Sequence, residues 1–192
     1  MSLCSALLAV TMFASSEHHV AKQKRYTNRA YGIAFDIPTS WTMRTNEEGS
    51  GNRRHLVIAL RPPAWLSKAK RSQYSMSDYP FWIRVPASKM TLEQAAEWAG
   101  FLRSNWKWMT VARGNNYDVH QSSRDGMFIL SGTTDLGMHL KRGGYEGLGH
   151  GLRAFIFATG RAVVLDAENT AYRQAFHTIV DSFGFEASGA TN

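Results

Sequence analysis

Apolar residues recur at every second position from Tyr31 to Ile37, where Tyr31, Ile33, Phe35 and Ile37 alternate with Gly32, Ala34 and Asp36. A period of two marks a half-buried strand, and Pro38 ends it because proline has no N–H for the ladder. The same pattern predicts strands over 55–60, closed by Pro62-Pro63, and over 81–85, closed by Pro86. Residues 45–54 read as a turn-rich polar loop and 62–79 as a basic loop. The period then changes. Thr91 and Gln94 form a capping box, in which each side chain satisfies a free N–H of the first helical turn. Leu92, Ala95, Ala96, Ala99 and Leu102 follow on one helical face. Beyond this helix, 117–122 and 127–133 read as a hairpin around Arg124-Asp125-Gly126. Strands 134–141 and 145–158 flank Gly143-Gly144, and 161–166 follows the turn at Thr159-Gly160. The last helix begins near Asn169 and carries Tyr172, Phe176, Ile179 and Phe183 as one apolar stripe. Three strands, a helix, five short strands and a helix predict an α+β class, with a central antiparallel sheet flanked by helices.

The composition suits one packed domain. Of 192 residues 44% are hydrophobic and 12% aromatic, which excludes a disordered chain. The domain is expected over 31–186, with a polar basic linker at 17–30 and a flexible tail at 187–192. The net charge of +7 favours anionic partners. Lys22, Lys24, Arg25 and Arg29 cluster early and Lys68, Lys70 and Arg71 later, but most basic residues are scattered. Such spread charge is ordinarily a solvated surface. Cys4 is the one cysteine, so an intramolecular disulfide and a cysteine-based zinc site are both excluded.

The run from Leu3 to Ala14 is apolar and of signal-peptide length, and Ala14-Ser15-Ser16 offers small residues for cleavage before Glu17. The basic residues that normally precede such a run are missing. The reading is a signal peptide over 1–16 and an exported, periplasmic protein. The alternatives are an apolar helix packed on the domain, and the cytoplasm.

The stretch "YGIAFDIPTSW" resembles the opening of the PsbP-like superfamily, which includes PsbP, the Ran-binding nucleotide-release factors and the bacterial DcrB-like proteins. "TLEQAAEWAGFL" resembles the helix before that family's central sheet, and "GRAVVLDAENTAYRQAFHTIVDSFGFE" its closing strand and helix. The likeness spans 31–186 in order of elements, with the matching residues mainly at the two ends. These residues are structural: Pro38 stops a strand, Trp41 covers a sheet end and Phe183 closes a core. The resemblance implies a fold and a non-catalytic accessory, assembly or chaperone-like role. It implies a protein partner, possible at a membrane, and transfers no functional residue.

Catalytic signatures are missing from the sequence: it has no G-x-S-x-G, H-E-x-x-H or P-loop. "GLGHG", 147–151, precedes a strand and lacks the helix a phosphate cradle needs. One constellation invites chemistry. A symmetric hairpin through Gly143-Gly144 gathers Asp135, His139 and Lys141 with Glu146 and His150 on one face, and Leu136, Met138 and Leu140 on the other. Two imidazoles on neighbouring strands, completed by a carboxylate, can hold a divalent metal such as zinc. The alternative function is therefore a small metal-dependent enzyme or hydrolase; the ordinary reading is a solvated face, with no cofactor. Glu17-His18-His19 offers a weak metal site at a mature N-terminus. Trp106, Lys107 and Trp108 interleave aromatic and basic groups, and suit a protein partner or membrane surface better than nucleic acid.

Overall fold

The computed structural model describes residues 22–63, 79–104, 107–112, 115–139, 145–168 and 170–186, with the side chains of 104, 111–118, 135–139, 145–150 and 171 left aside. The apolar N-terminal run, the Glu17-His18-His19 cluster and most of the basic 62–79 loop lie outside the described residues.

Two antiparallel sheets organise the chain. The smaller has the order β1 (Gln23–Asn28), β2 (Ile33–Pro38) and β12 (Gly184–Phe185). The larger has nine strands among the described residues. Its first part runs β3 (Thr42–Glu48), β4 (His55–Arg61), β5 (Phe81–Pro86) and β11 (Arg161–Ala167). It continues through β10 (Tyr145–Ala158), β9 (Met127–His139), β8 (Asn115–Arg124), β7 (Lys107–Ala112) and β6 (Phe101–Ser104). Among the described residues two α-helices accompany them, α1 (Leu92–Trp98) and α2 (Arg173–Ser182). The α+β reading holds in outline, with a larger sheet and fewer helical residues than expected.

Strand alternation divides the large sheet into two faces. Leu56, Ile58 and Leu60 of β4, Phe81, Ile83 and Val85 of β5, and Val163 and Leu165 of β11 point to one side. There they meet Phe176, Ile179 and Val180 of α2 and the small sheet's Ile33, Phe35 and Ile37. Trp41 lies over the end of this core, edge-on to Phe81 at 4.8 Å, and Phe183 stacks on Phe35 at 5.8 Å. On the opposite side Leu130, Phe155, Ala162 and Val164 take Ala95, Ala96 and Ala99 of α1 and its C-cap, together with Phe101 and Trp108.

Several expectations are corrected. Residues 23–28, inside the stretch read as a linker, form β1 and pair with β2 from Gln23 opposite Pro38 to Asn28 opposite Ile33. Residues 45–48 of the stretch read as a polar loop belong to β3, which pairs with β4 over its whole length. Both are edge strands, held by backbone hydrogen bonds that need no apolar side chains. The first helix has the expected capping box, but it ends at Trp98. Gly100 takes φ +78°, and a Cβ there would meet Arg153 Nη1 at 2.8 Å, so the chain turns out of the helix at the residue that tolerates both. Leu102 therefore lies in β6 and is 48% exposed, not on the helical apolar face. Residues 127–139 form one long strand where two were expected. The hairpins at Asp125-Gly126 and Thr159-Gly160 have positive φ at both central residues, the geometry that matches strand twist in a two-residue turn.

Candidate functional site

The outward residues of β3, β4 and β5 line an open groove of about 330 Å³ at one end of the large sheet. Its position follows from register. Arg44 stands opposite Ala59, Asn46 opposite Val57 and Glu48 opposite His55. Ala59 in turn stands opposite Trp82, and Val57 opposite Arg84. Every second residue of three adjacent strands thus faces the groove, while the residues between them on β4 and β5 fill the α2-side core. Val57, Ala59 and Trp82 make an apolar floor, and Arg44, Arg84, Asn46 and Glu48 supply polar groups along it. Tyr79 closes one end. Two guanidiniums lie over its ring, Arg44 at 5.6 Å and Arg61 at 5.1 Å from the centroid. Cations over an aromatic face are attracted by its quadrupole, so the groove end is both basic and ordered.

Behind the groove lies a buried ion cluster. Asp166 is 5% exposed and follows the apolar run Ala162–Leu165 of β11. It accepts hydrogen bonds from Arg84 Nη2 at 2.8 Å and from Arg153 Nε at 2.6 Å. Two arginines on one carboxylate leave a net positive charge in the sheet beneath α1. Arg84 also stacks on Trp98 at 5.6 Å, and its Nε is buried with no hydrogen-bond partner among the described residues. Asp166 and Trp98 thus fix the Arg84 side chain at the groove wall, and fixed guanidiniums bind planar anions at little conformational cost.

The residues singled out from sequence fare differently. Trp106 lies outside the described residues. Lys107 is exposed on β7. Its neighbour Trp108 points inward, 9% exposed, with Phe128 at 6.0 Å and Arg103 over its ring at 5.8 Å. Alternation along β7 separates the two, so Trp108 is a packing residue and not part of an exposed aromatic-basic patch. In the 134–153 hairpin the backbone register places His150 opposite Asp135 and His139 opposite Tyr145. Glu146 stands opposite Met138, because the register shifts between Gly147 and His150. A bulge of this kind breaks the simple alternation from which the four-residue face was expected. The side chains of Asp135, His139, Glu146 and His150 lie outside those described. Among the described residues no group of three metal-ligating side chains comes together.

Sequence reasoning missed Arg44, Tyr79, Trp82, Arg84 and Asp166. Two signals were available. Trp82 and Arg84 are the two outward residues of the strand recognised at 81–85, an aromatic beside a cation on one face. Asp166 interrupts an apolar run, and a carboxylate in such a place needs a charged partner.

No family model and no curated protein matches this chain. Among solved structures the chain is similar to the solution structure of cyanobacterial PsbP (CyanoP) from Synechocystis sp. PCC 6803. The identity is 13% and the TM-score 0.46, and the match covers 91% of this chain and 98% of that one. The match assigns no ligand and no site residue.

Proposed function

We propose that this protein is a non-catalytic accessory protein that holds an acidic, apolar-anchored segment of a protein partner in the groove over β3, β4 and β5. The observation that carries the reading is the groove itself: an open, apolar floor of Val57, Ala59 and Trp82 bordered by the guanidiniums of Arg44 and Arg84. An apolar centre with arginine and aromatic anchors is the composition of energetic centres in protein interfaces. Export and a partner at or near a membrane belong to the same proposal, and rest on the family resemblance and the apolar run at Leu3–Ala14. The rival reading, a metal-dependent hydrolase on the 134–153 hairpin, keeps Asp135 opposite His150, while the register sets Glu146 opposite Met138.

Site-specific photocrosslinking in the native host tests the proposal. A crosslinker at Ala59 is expected to capture a defined partner. One at His177, exposed on α2, is not. Arg44→Glu with Arg84→Glu is expected to abolish capture at Ala59. Equal capture at both positions, or capture that survives the charge reversal, would remove the groove as the binding surface.

A further inference from the structure

We infer that a second site, distinct from the groove, binds a phosphomonoester dianion. It is a pocket of about 260 Å³ where the turn before β2, the β3–β4 hairpin and the loop after β5 meet. Arg54, Lys89 and Arg161 line it, with Glu47 as its acidic residue. Three cations against one carboxylate leave two positive charges unbalanced.

Each cation has a different degree of engagement. Arg161 is fixed: its Nη1 donates to Gly32 O at 3.1 Å and Glu186 O at 2.8 Å, and its guanidinium lies over Phe185 at 4.7 Å. Both contacts are to neutral groups, so its charge is not neutralised. Arg54 reaches Glu47 only at 3.9 Å, with both side chains about half exposed. Lys89 has no ion-pair partner among the described residues. Glu47 is itself engaged, because the Tyr31 hydroxyl donates to its Oε1 at 3.0 Å. Burial, and then Glu47, raise the Tyr31 pKa, so Tyr31 remains an O–H donor over the working pH range. Ser88 adds a hydroxyl on the pocket wall.

The chemistry of the ligand follows from charge and size. Two uncompensated cations call for a dianion, and a phosphate monoester carries close to two charges at neutral pH. Arginine suits such a group because its fork matches phosphate geometry, and lysine adds a mobile point charge. The volume lies just below that of pockets for drug-sized ligands, which suits a phosphate with a small organic group. A free metabolite phosphate and a lipid headgroup share this chemistry.

Calorimetric titration of the full chain with inorganic phosphate and with glycerol 3-phosphate, at about 0.15 M salt, tests the site. Saturable binding of at least one is expected, weakened roughly tenfold or more by Lys89→Ala and by Arg54→Ala, since each removes a charge-assisted contact. Arg173→Ala, at another exposed cation on α2, should change nothing. Sedimentation with phosphatidylcholine vesicles, with and without phosphatidic acid, distinguishes the sources. Binding that depends on phosphatidic acid and on Lys89 identifies a lipid headgroup; binding of glycerol 3-phosphate alone identifies a free ligand. No saturable binding in either arm, or an equal loss in Arg173→Ala, would overturn the inference. Thermal melts of each variant separate loss of binding from loss of fold.

Discussion

The two faces of the large sheet are built from the same strands and do different work. On the α2 side the last helix and the small sheet cover the strands with aliphatic and aromatic groups. On the α1 side a seven-residue helix covers only part of the surface, with three alanines in the contact. Among the described residues, what it leaves uncovered is the groove, and beneath it lies the Asp166 cluster. A face that is fully covered contributes stability and little else. A face left partly bare, with guanidiniums held in place by a buried carboxylate, presents rigid charge to solvent, which a binding surface requires. The contrast can be broken at either face.

The largest effect is expected on the covered face. Phe176 is 1% exposed, and Phe176→Ala should lower stability by about 3–5 kcal/mol in urea denaturation, the cost of a deleted core ring and its cavity. Because the site lies on the other face, the fraction that remains folded should bind as before. A loss below about 1 kcal/mol would mean that α2 does not close this core.

On the α1 face Asp166→Ala should cost about 3 kcal/mol, because two partly buried guanidiniums lose their counter-ion. Replacing the whole cluster by Asp166→Leu, Arg84→Met and Arg153→Met should restore much of that loss. The triple variant should nevertheless bind partner more weakly than the parent, since Arg84 is gone from the groove wall. If stability and capture instead return together, the cluster serves packing alone.

A third test uses pH. Glu168 follows β11, with Oε2 buried and no hydrogen-bond partner among the described residues, and burial pushes its pKa up to about 7. The folded value lies above the ordinary 4.5, so the unfolded chain releases this proton first as pH rises. Its contribution to stability is full below about 4.5, is lost between 4.5 and 7, and stays lost above 7. Solvent screening of a half-exposed group reduces the size to about 1–2 kcal/mol. Glu168→Gln should flatten that slope and raise stability at alkaline pH, as read by urea denaturation at several pH values. An unchanged slope would place the titrating group elsewhere.

The smallest effect belongs to the helix start. Thr91→Ala removes the hydroxyl that accepts from the Gln94 amide at 3.2 Å, at a cost of about 1 kcal/mol. A short helix on the less covered face should feel this in local amide exchange before global unfolding. Equal change throughout the sheet would show that α1 and the sheet unfold as one.

The sequence alone determined the elements whose signals are local. Alternation marks 31–37, 55–60 and 81–85 because one face of each is buried. Thr91 with Gln94 marks a helix start because the cap is made within one turn. The stripe from Tyr172 to Phe183 marks α2 because a helix repeats its buried face at fixed spacing. Tertiary structure decided the rest. β1 and β3 are polar edge strands, whose hydrogen bonds come from partners that alternation does not reveal. The helix ends at Trp98 and the chain turns at Gly100, with φ +78°, beside Arg153 from a distant strand. The bulge in β10 changes which residues of the 134–153 hairpin stand opposite one another. The groove arises only when alternate residues of three strands, separated by up to 40 positions from Arg44 to Arg84, are brought into register. Asp166 tells the same story: its carboxylate can be buried only because the fold delivers Arg84 and Arg153, and charge compensation of that kind is a property of neighbours in space rather than in sequence.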